Sequence, residues 1–333
     1  MPVREAGVKG ERGTAWVKGR GGEGQRGRSK CSRLFTGKTG HVWWGELWSS
    51  AMTIETVGSY RSRWGEGPIW WEGRLFYVDI EGHRVIALDP VSGAEETWEV
   101  GQRVGFVVPR AGGGLVFGGD QGLFLLNLED GKTTPISNPE EGQENNRFND
   151  GKCAPDGFLF AGTISLVKET GEASLYRLAA DHSVTEVLDS VTNSNGIAWS
   201  RDGAECYYID TPLKNVQAFQ YHGGELSESR EVISTADLEA SPDGMTIDAE
   251  GNLWIAFCHG ACVRCYDPKS GKLLQEIELP CLETTACAFG GENLDELYVT
   301  TGVHKTEIEE EAGLVFRITG IGVKGLPALT FAG

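Results

Sequence analysis

Glu66, Asn149, Asp150, Asn195 and Asp243 carry side-chain oxygens and stand beside glycines, in Gly65-Glu-Gly-Pro68, Asn149-Asp-Gly151, Ser194-Asn-Gly196 and Pro242-Asp-Gly244. Each precedes a short apolar or aromatic run by a similar distance. Glu66 is 9 residues before Leu75, Asn149 and Asp150 are 10 and 9 before Leu159, Asn195 is 11 before Cys206, and Asp243 is 10 before Leu253. Two carboxylates with one or two amide oxygens form a hard-donor set suited to Ca²⁺, Mg²⁺ or Mn²⁺, with Zn²⁺ still open. A single Asx-Gly pair is equally ordinary turn chemistry. Repetition at four places, and the presence of Glu66, which is not a turn former, favour a site for one divalent cation.

The elements that must position these groups are strands. Runs begin at Leu75, Leu115, Leu159, Cys206, Leu253 and Leu297, separated by 40, 44, 47, 47 and 44 residues. A further strand follows most of them, as in Arg84-Val-Ile-Ala-Leu88 and Val263-Arg-Cys-Tyr266, read as alternating and half-buried, then turns such as Asp89-Pro-Val-Ser-Gly93. A period near 44 with about four strands per unit predicts an all-β, six-bladed β-propeller. Its inner strands start around one mouth of a central channel, which places the oxygen ligands and the metal site there. Thr53–Ser62 has no run of its own and is expected to close the ring by adding a strand to the last blade, leaving no open edge.

These segments resemble the SMP-30/gluconolactonase/luciferin-regenerating-enzyme family. The likeness lies in Gly65-Glu-Gly-Pro68, Asn146-Arg-Phe-Asn-Asp-Gly-Lys152, Phe160-Ala-Gly-Thr163, Ser194-Asn-Gly196, Tyr207-Tyr-Ile-Asp210, Pro242-Asp-Gly-Met245 and Ile318-Thr-Gly-Ile-Gly-Val-Lys-Gly325, and runs from about Thr53 to the C-terminus. The resemblance implies metal ligands Glu66, Asn195 and Asp243, with Arg147 and Asn149 on the substrate. It also implies a lactonase, a carboxylic-ester hydrolase that opens a sugar lactone. Asp243 is the expected general base and Arg147 the group that steadies the oxyanion. The alternative is a non-catalytic, calcium-binding regulatory propeller. The family's acidic substrate loop has no clear counterpart in Ile164-Ser-Leu-Val-Lys-Glu169.

Charge separates the chain into two parts. The total of −18 combines +6 over residues 1–50 with −24 over the remainder. So acidic a body repels phosphate backbones, and no nucleic-acid partner is expected. Residues 1–51, basic and Gly-rich, are expected to be a disordered leader or the product of a start codon assigned too far upstream. Their GxGxxG match at Gly19, Gly21 and Gly24 lacks the strand and helix a nucleotide site needs. No apolar run is long enough to cross a membrane as a helix. Cys258-His-Gly-Ala-Cys-Val-Arg-Cys265 reads as buried strand thiols rather than a zinc site, because Cys262 and Cys265 fall on opposite faces of a strand. With no regular cysteine pairing pattern and no secretory segment, a cytoplasmic monomer or weak dimer acting on a small molecule is expected.

Overall fold

The computed structural model describes residues 51–304 and 309–333, so the expectations for the leader lie outside the described residues, Ala51 apart. The described chain forms six four-stranded antiparallel sheets. The inner strands are Gly65–Trp71, Val104–Pro109, Asn146–Cys153, Ser194–Trp199, Ser241–Ile247 and Thr284–Gly290, which define blades 1 to 6. Each run singled out by the 44-residue period is the second strand of its blade, from Arg74–Asp79 in blade 1 to Glu296–Thr301 in blade 6. The fold is therefore the six-bladed propeller that the period predicts.

Blade 6 takes its outer strand from the start of the described chain. Thr53–Val57 pairs with Val315–Thr319, from Thr53↔Thr319 to Val57↔Val315. The closing segment expected at Thr53–Ser62 thus does what was expected, and the sheet edge it covers is not left unpaired.

The third strands differ from expectation. In Arg84–Leu88 every residue after Arg84 is buried, and Cys262–Asp267 is buried at four positions of six. A propeller blade is packed on both faces by its neighbours, so both sets of side chains lose water and the period-2 signal fades. Only the outer strands, such as Glu225–Ser234, are largely exposed. Aromatic contacts join the blades: Trp70 stacks on Tyr298 at 5.5 Å between blades 1 and 6, and Phe106 meets Phe148 edge-on at 6.4 Å between blades 2 and 3.

The last residues cross the channel end opposite the mouth. Gly325 bridges Asp248, and Phe331, fully buried, bridges Arg110. Leu326–Leu329 then help to line a largely apolar cavity of about 400 Å³, with Trp70, Trp199 and Phe289. The seven described cysteines are free and buried, and no described helix is long and apolar enough to cross a membrane.

Close approach of the inner strands requires glycine. A Cβ on Gly244 would overlap the Ala286 Cβ of the next blade and lie 2.7 Å from its Cα, where backbone cannot yield. Gly244→Ala is expected to cost about 1–3 kcal/mol through this overlap. Urea unfolding reads it as a lower midpoint at unchanged slope; an unchanged midpoint would show that the blades are not in this contact.

Candidate metal centre at the channel mouth

All six inner strands break their register at the same level. The shifts fall between Glu66 and Ile69, Val104 and Phe106, Phe148 and Asp150, Asn195 and Ile197, Pro242 and Met245, and Thr284 and Ala286. A bulge re-aims the side chains around it. Here one falls near the start of each of the six inner strands, and the Glu66, Asn149, Asn195 and Asp243 side chains belong to or flank them. Gly67 adopts φ +54°, a left-handed conformation that glycine takes without strain, directly after Glu66.

A second device fixes the approach to three of the bulges. Asp79, at the end of the second strand of blade 1, accepts hydrogen bonds from the backbone N–H groups of Arg63, Trp64 and Gly82, each at 3.0 Å. Asp210 does the same for Thr192 at 3.2 Å and Asn193 at 2.8 Å, and Asp120 accepts from Arg103 N at 3.1 Å. These buried or half-buried carboxylates pin the residues that lead into Glu66 and Asn195. Sequence reasoning gave them no role; the available signal was the Asp that ends or follows the second-strand runs.

The site residues are joined across three blades. Arg147 Nη1 donates to Phe148 O and to Asn149 Oδ1, both at 2.8 Å. Asn149 Nδ2 donates to Ser194 O at 2.8 Å and to Asn195 Oδ1 at 3.2 Å. Asn195 Nδ2 donates to Thr211 Oγ1 at 2.8 Å, and that hydroxyl donates to Pro242 O at 2.9 Å, next to Asp243. Thr211 is a second residue the sequence did not single out. The Asn149 amide is thus already engaged on both ends, as the link between Arg147 and Asn195. Arg147 gives its Nη1 hydrogen bonds to oxygens of neutral groups. Lys152 reaches across the channel and donates to Met245 O at 2.8 Å. Within residues 164–169, Glu169 is exposed, while Ile164 pairs with Arg147.

Electrostatics set the chemistry of the mouth. Glu66 is 8% and Asp243 7% exposed. Burial, then the charge of Asp150, pushes the Glu66 carboxyl up to about 8. Asp243 is pushed well above the carboxylate range by burial and then by Glu66 and Asp150. Burial also raises Asp150, which spends one oxygen on Gly151 N at 2.7 Å. Burial, followed by Arg103, draws Arg147 down to about 10, still cationic at neutral pH. Carboxylates gathered this tightly cannot all ionise without a compensating charge. Glu66 and Asp243, with the second lone pair of Asn195 Oδ1, therefore fit a divalent cation in both charge and donor hardness.

Residues 64–303 match the family model described as SMP-30/Gluconolactonase/LRE-like region. Regucalcin of Gallus gallus is 40% identical over 298 residues, which cover 85% of this chain and all of that protein. Among solved structures, a luciferin-regenerating enzyme superposes with TM-score 0.79 at 30% identity, covering 85% of this chain and 100% of that one. A calcium-binding protein, regucalcin, from Agrobacterium tumefaciens gives TM-score 0.79 at 26% identity, covering 84% and 97%.

The raised carboxyls have a consequence for stability. Folded Glu66 keeps its proton to about pH 8, against an ordinary value of 4.5. The folded chain binds more protons than the unfolded chain in that window, so stability falls as pH rises through it. In excess chelator, unfolding midpoints are expected to decline from pH 5 to pH 8, and Glu66→Gln should flatten the decline. A chelated protein as stable at pH 8 as at pH 5 would contradict the buried-carboxylate account.

Proposed function

The chain belongs to the SMP-30/gluconolactonase/LRE-like family, and we propose that it is a metal-dependent lactonase that opens a sugar lactone of the aldonolactone type. The observation that carries this reading is the meeting of two buried, charge-hungry carboxylates, Glu66 and Asp243, with a cationic Arg147 on the same ring of strands.

Glu66, Asn195 and Asp243 would hold the cation. When bound, it supplies Lewis acidity toward an ester carbonyl and lowers the pKa of a coordinated water. The residues of the chain do the rest. Loading displaces the protons that Glu66 and Asp243 hold in the metal-free protein, so the site gains affinity as pH rises. Asp243 then receives the proton of the attacking water as its oxygen bonds to the carbonyl carbon. Arg147, immobilised through Asn149, donates toward the carbonyl oxygen as negative charge develops there. The ring C–O bond breaks, the ring oxygen takes the proton that Asp243 received, and the product is the open hydroxy acid. Asn149 holds Arg147 and Asn195 in one frame and meets the substrate hydroxyls only by exchanging one of its present bonds. The apolar Ile164 beside Arg147 favours a substrate face with few hydroxyls at that side.

A calcium-binding propeller without turnover is the second reading, drawn from the printed description of the Agrobacterium relative. Ion binding alone has no use for Arg147 held at the mouth by Phe148 O and Asn149, which favours the enzyme.

A panel of aldono-1,4- and 1,5-lactones assayed with Mg²⁺, Mn²⁺, Zn²⁺ and Ca²⁺ tests the proposal. Hydrolysis is expected with at least one cation and none in excess chelator. Asp243→Ala should abolish metal-dependent turnover while the protein stays folded. Arg147→Ala should lower kcat by roughly 10²-fold, the usual effect of removing one oxyanion donor. Full turnover in Asp243→Ala or in chelator would rule the mechanism out, and no turnover on any lactone would favour the calcium-binding reading.

A further inference from the structure

Beside this centre, at the junction of blades 5 and 6, lies a cluster of different chemistry. Cys258 ends the second strand of blade 5, His259 opens the following turn, and Glu283 directly precedes the inner strand of blade 6. Cys258 and Glu283 form a β-bridge, so backbone pairing between the blades brings their side chains together. Cys258 Sγ donates to Glu283 Oε2 at 3.1 Å, and His259 Nδ1 lies 2.9 Å from the same oxygen. His259 N also donates to it, at 3.3 Å. One ligand atom from each of the three residues falls within 4.8 Å of the other two.

The Glu283 carboxylate is what makes this more than a turn. Its side chain is 1% exposed, and its second oxygen, Oε1, is buried without a hydrogen bond. Among the described residues, the basic side chains within 4 Å of it are His259 and His304, the latter with Nε2 3.7 Å from Oε1. Imidazole nitrogen and carboxylate oxygen are both ligands that one divalent cation can share. His259 holds φ +61°, a left-handed conformation a histidine adopts at a cost, and the loop keeps it there with its ring on the carboxylate.

We propose that Cys258 Sγ, His259 Nδ1 and Glu283 form a second cation site, selective for a thiophilic divalent ion of the Zn²⁺ type and separate from the hard-oxygen centre at Glu66, Asn195 and Asp243. Thiolate, imidazole and carboxylate together are a zinc donor set, whereas Ca²⁺ and Mg²⁺ take oxygen. Burial, then the nearby carboxylates, pushes the Cys258 thiol up, so it stays protonated until a metal displaces the proton. Binding therefore forms the metal–sulfur bond and releases one proton to solvent from Cys258, with no change in oxidation state. His259, 56% exposed, gives the ion a route in from solvent.

The test uses the full chain, reduced and stripped of metal, titrated with Co²⁺ as a spectroscopic stand-in for Zn²⁺. The expected result is a thiolate-to-cobalt charge-transfer band that Zn²⁺ abolishes by displacement and Ca²⁺ does not. Cys258→Ser should remove the band. His259→Asn, which tolerates the left-handed turn and lies at the surface, should weaken cobalt binding at least tenfold without touching the core. Asp243→Asn, at the other centre, should leave the band in place, which separates this site from the lactonase reading. Absence of the band in the reduced wild-type protein, its survival in Cys258→Ser, or its loss in a folded Asp243→Asn variant would overturn the proposal.

Discussion

The structure turns on one unfavourable interaction: Glu66, Asp150 and Asp243 are carboxylic acids brought out of water and into each other's field. Each is raised by burial, and Glu66 and Asp243 are raised further by neighbouring carboxylates. Such a gathering does not arise from a relaxed surface. It has to be imposed by a scaffold stiff enough to refuse the outward movement that would relieve it, and a closed ring of sheets is such a scaffold. Thr53–Val57 completes blade 6, so no blade can swing away without breaking a strand pair. Six bulges at one level turn that rigidity into convergence, and Asp79, Asp120 and Asp210 hold the chain that enters three of the inner strands.

Function follows from the ways such a charge can be neutralised. Protons do it in the metal-free protein, and a divalent cation does it better because one ion answers two carboxylates. Arg147 stands in the same ring without being spent on a carboxylate, since its Nη1 bonds go to Phe148 O and Asn149. On the proposed reading that leaves its charge for an oxyanion. The site proposed at Cys258, His259 and Glu283 would repeat the logic with softer donors around a second buried carboxylate.

Much of this was legible in the sequence because a propeller repeats. The 44-residue period marks six blades, and near-equal offsets place Glu66, Asn195 and Asp243 at equivalent positions of their blades. Three things were hidden, each for a physical reason. Strands packed on both faces lose their alternation, so Arg84–Leu88 did not follow the half-buried pattern. Positioning groups such as Thr211 and Asp210 act through backbone hydrogen bonds that leave only a faint composition signal. The Cys258–Glu283 contact spans 25 residues and is created by pairing between blades, so no spacing along Cys258–Cys265, whose thiols are buried as expected, announces it.

The central claim is that the mouth carboxylates exist to hold a cation. A crystal structure of the protein grown with Mn²⁺, with the ion located by its anomalous scattering, tests it most directly. The account predicts a manganese ion bonded to Glu66, Asn195 and Asp243. A saturated crystal with no ion at those three side chains, or with manganese bound only elsewhere, would contradict it.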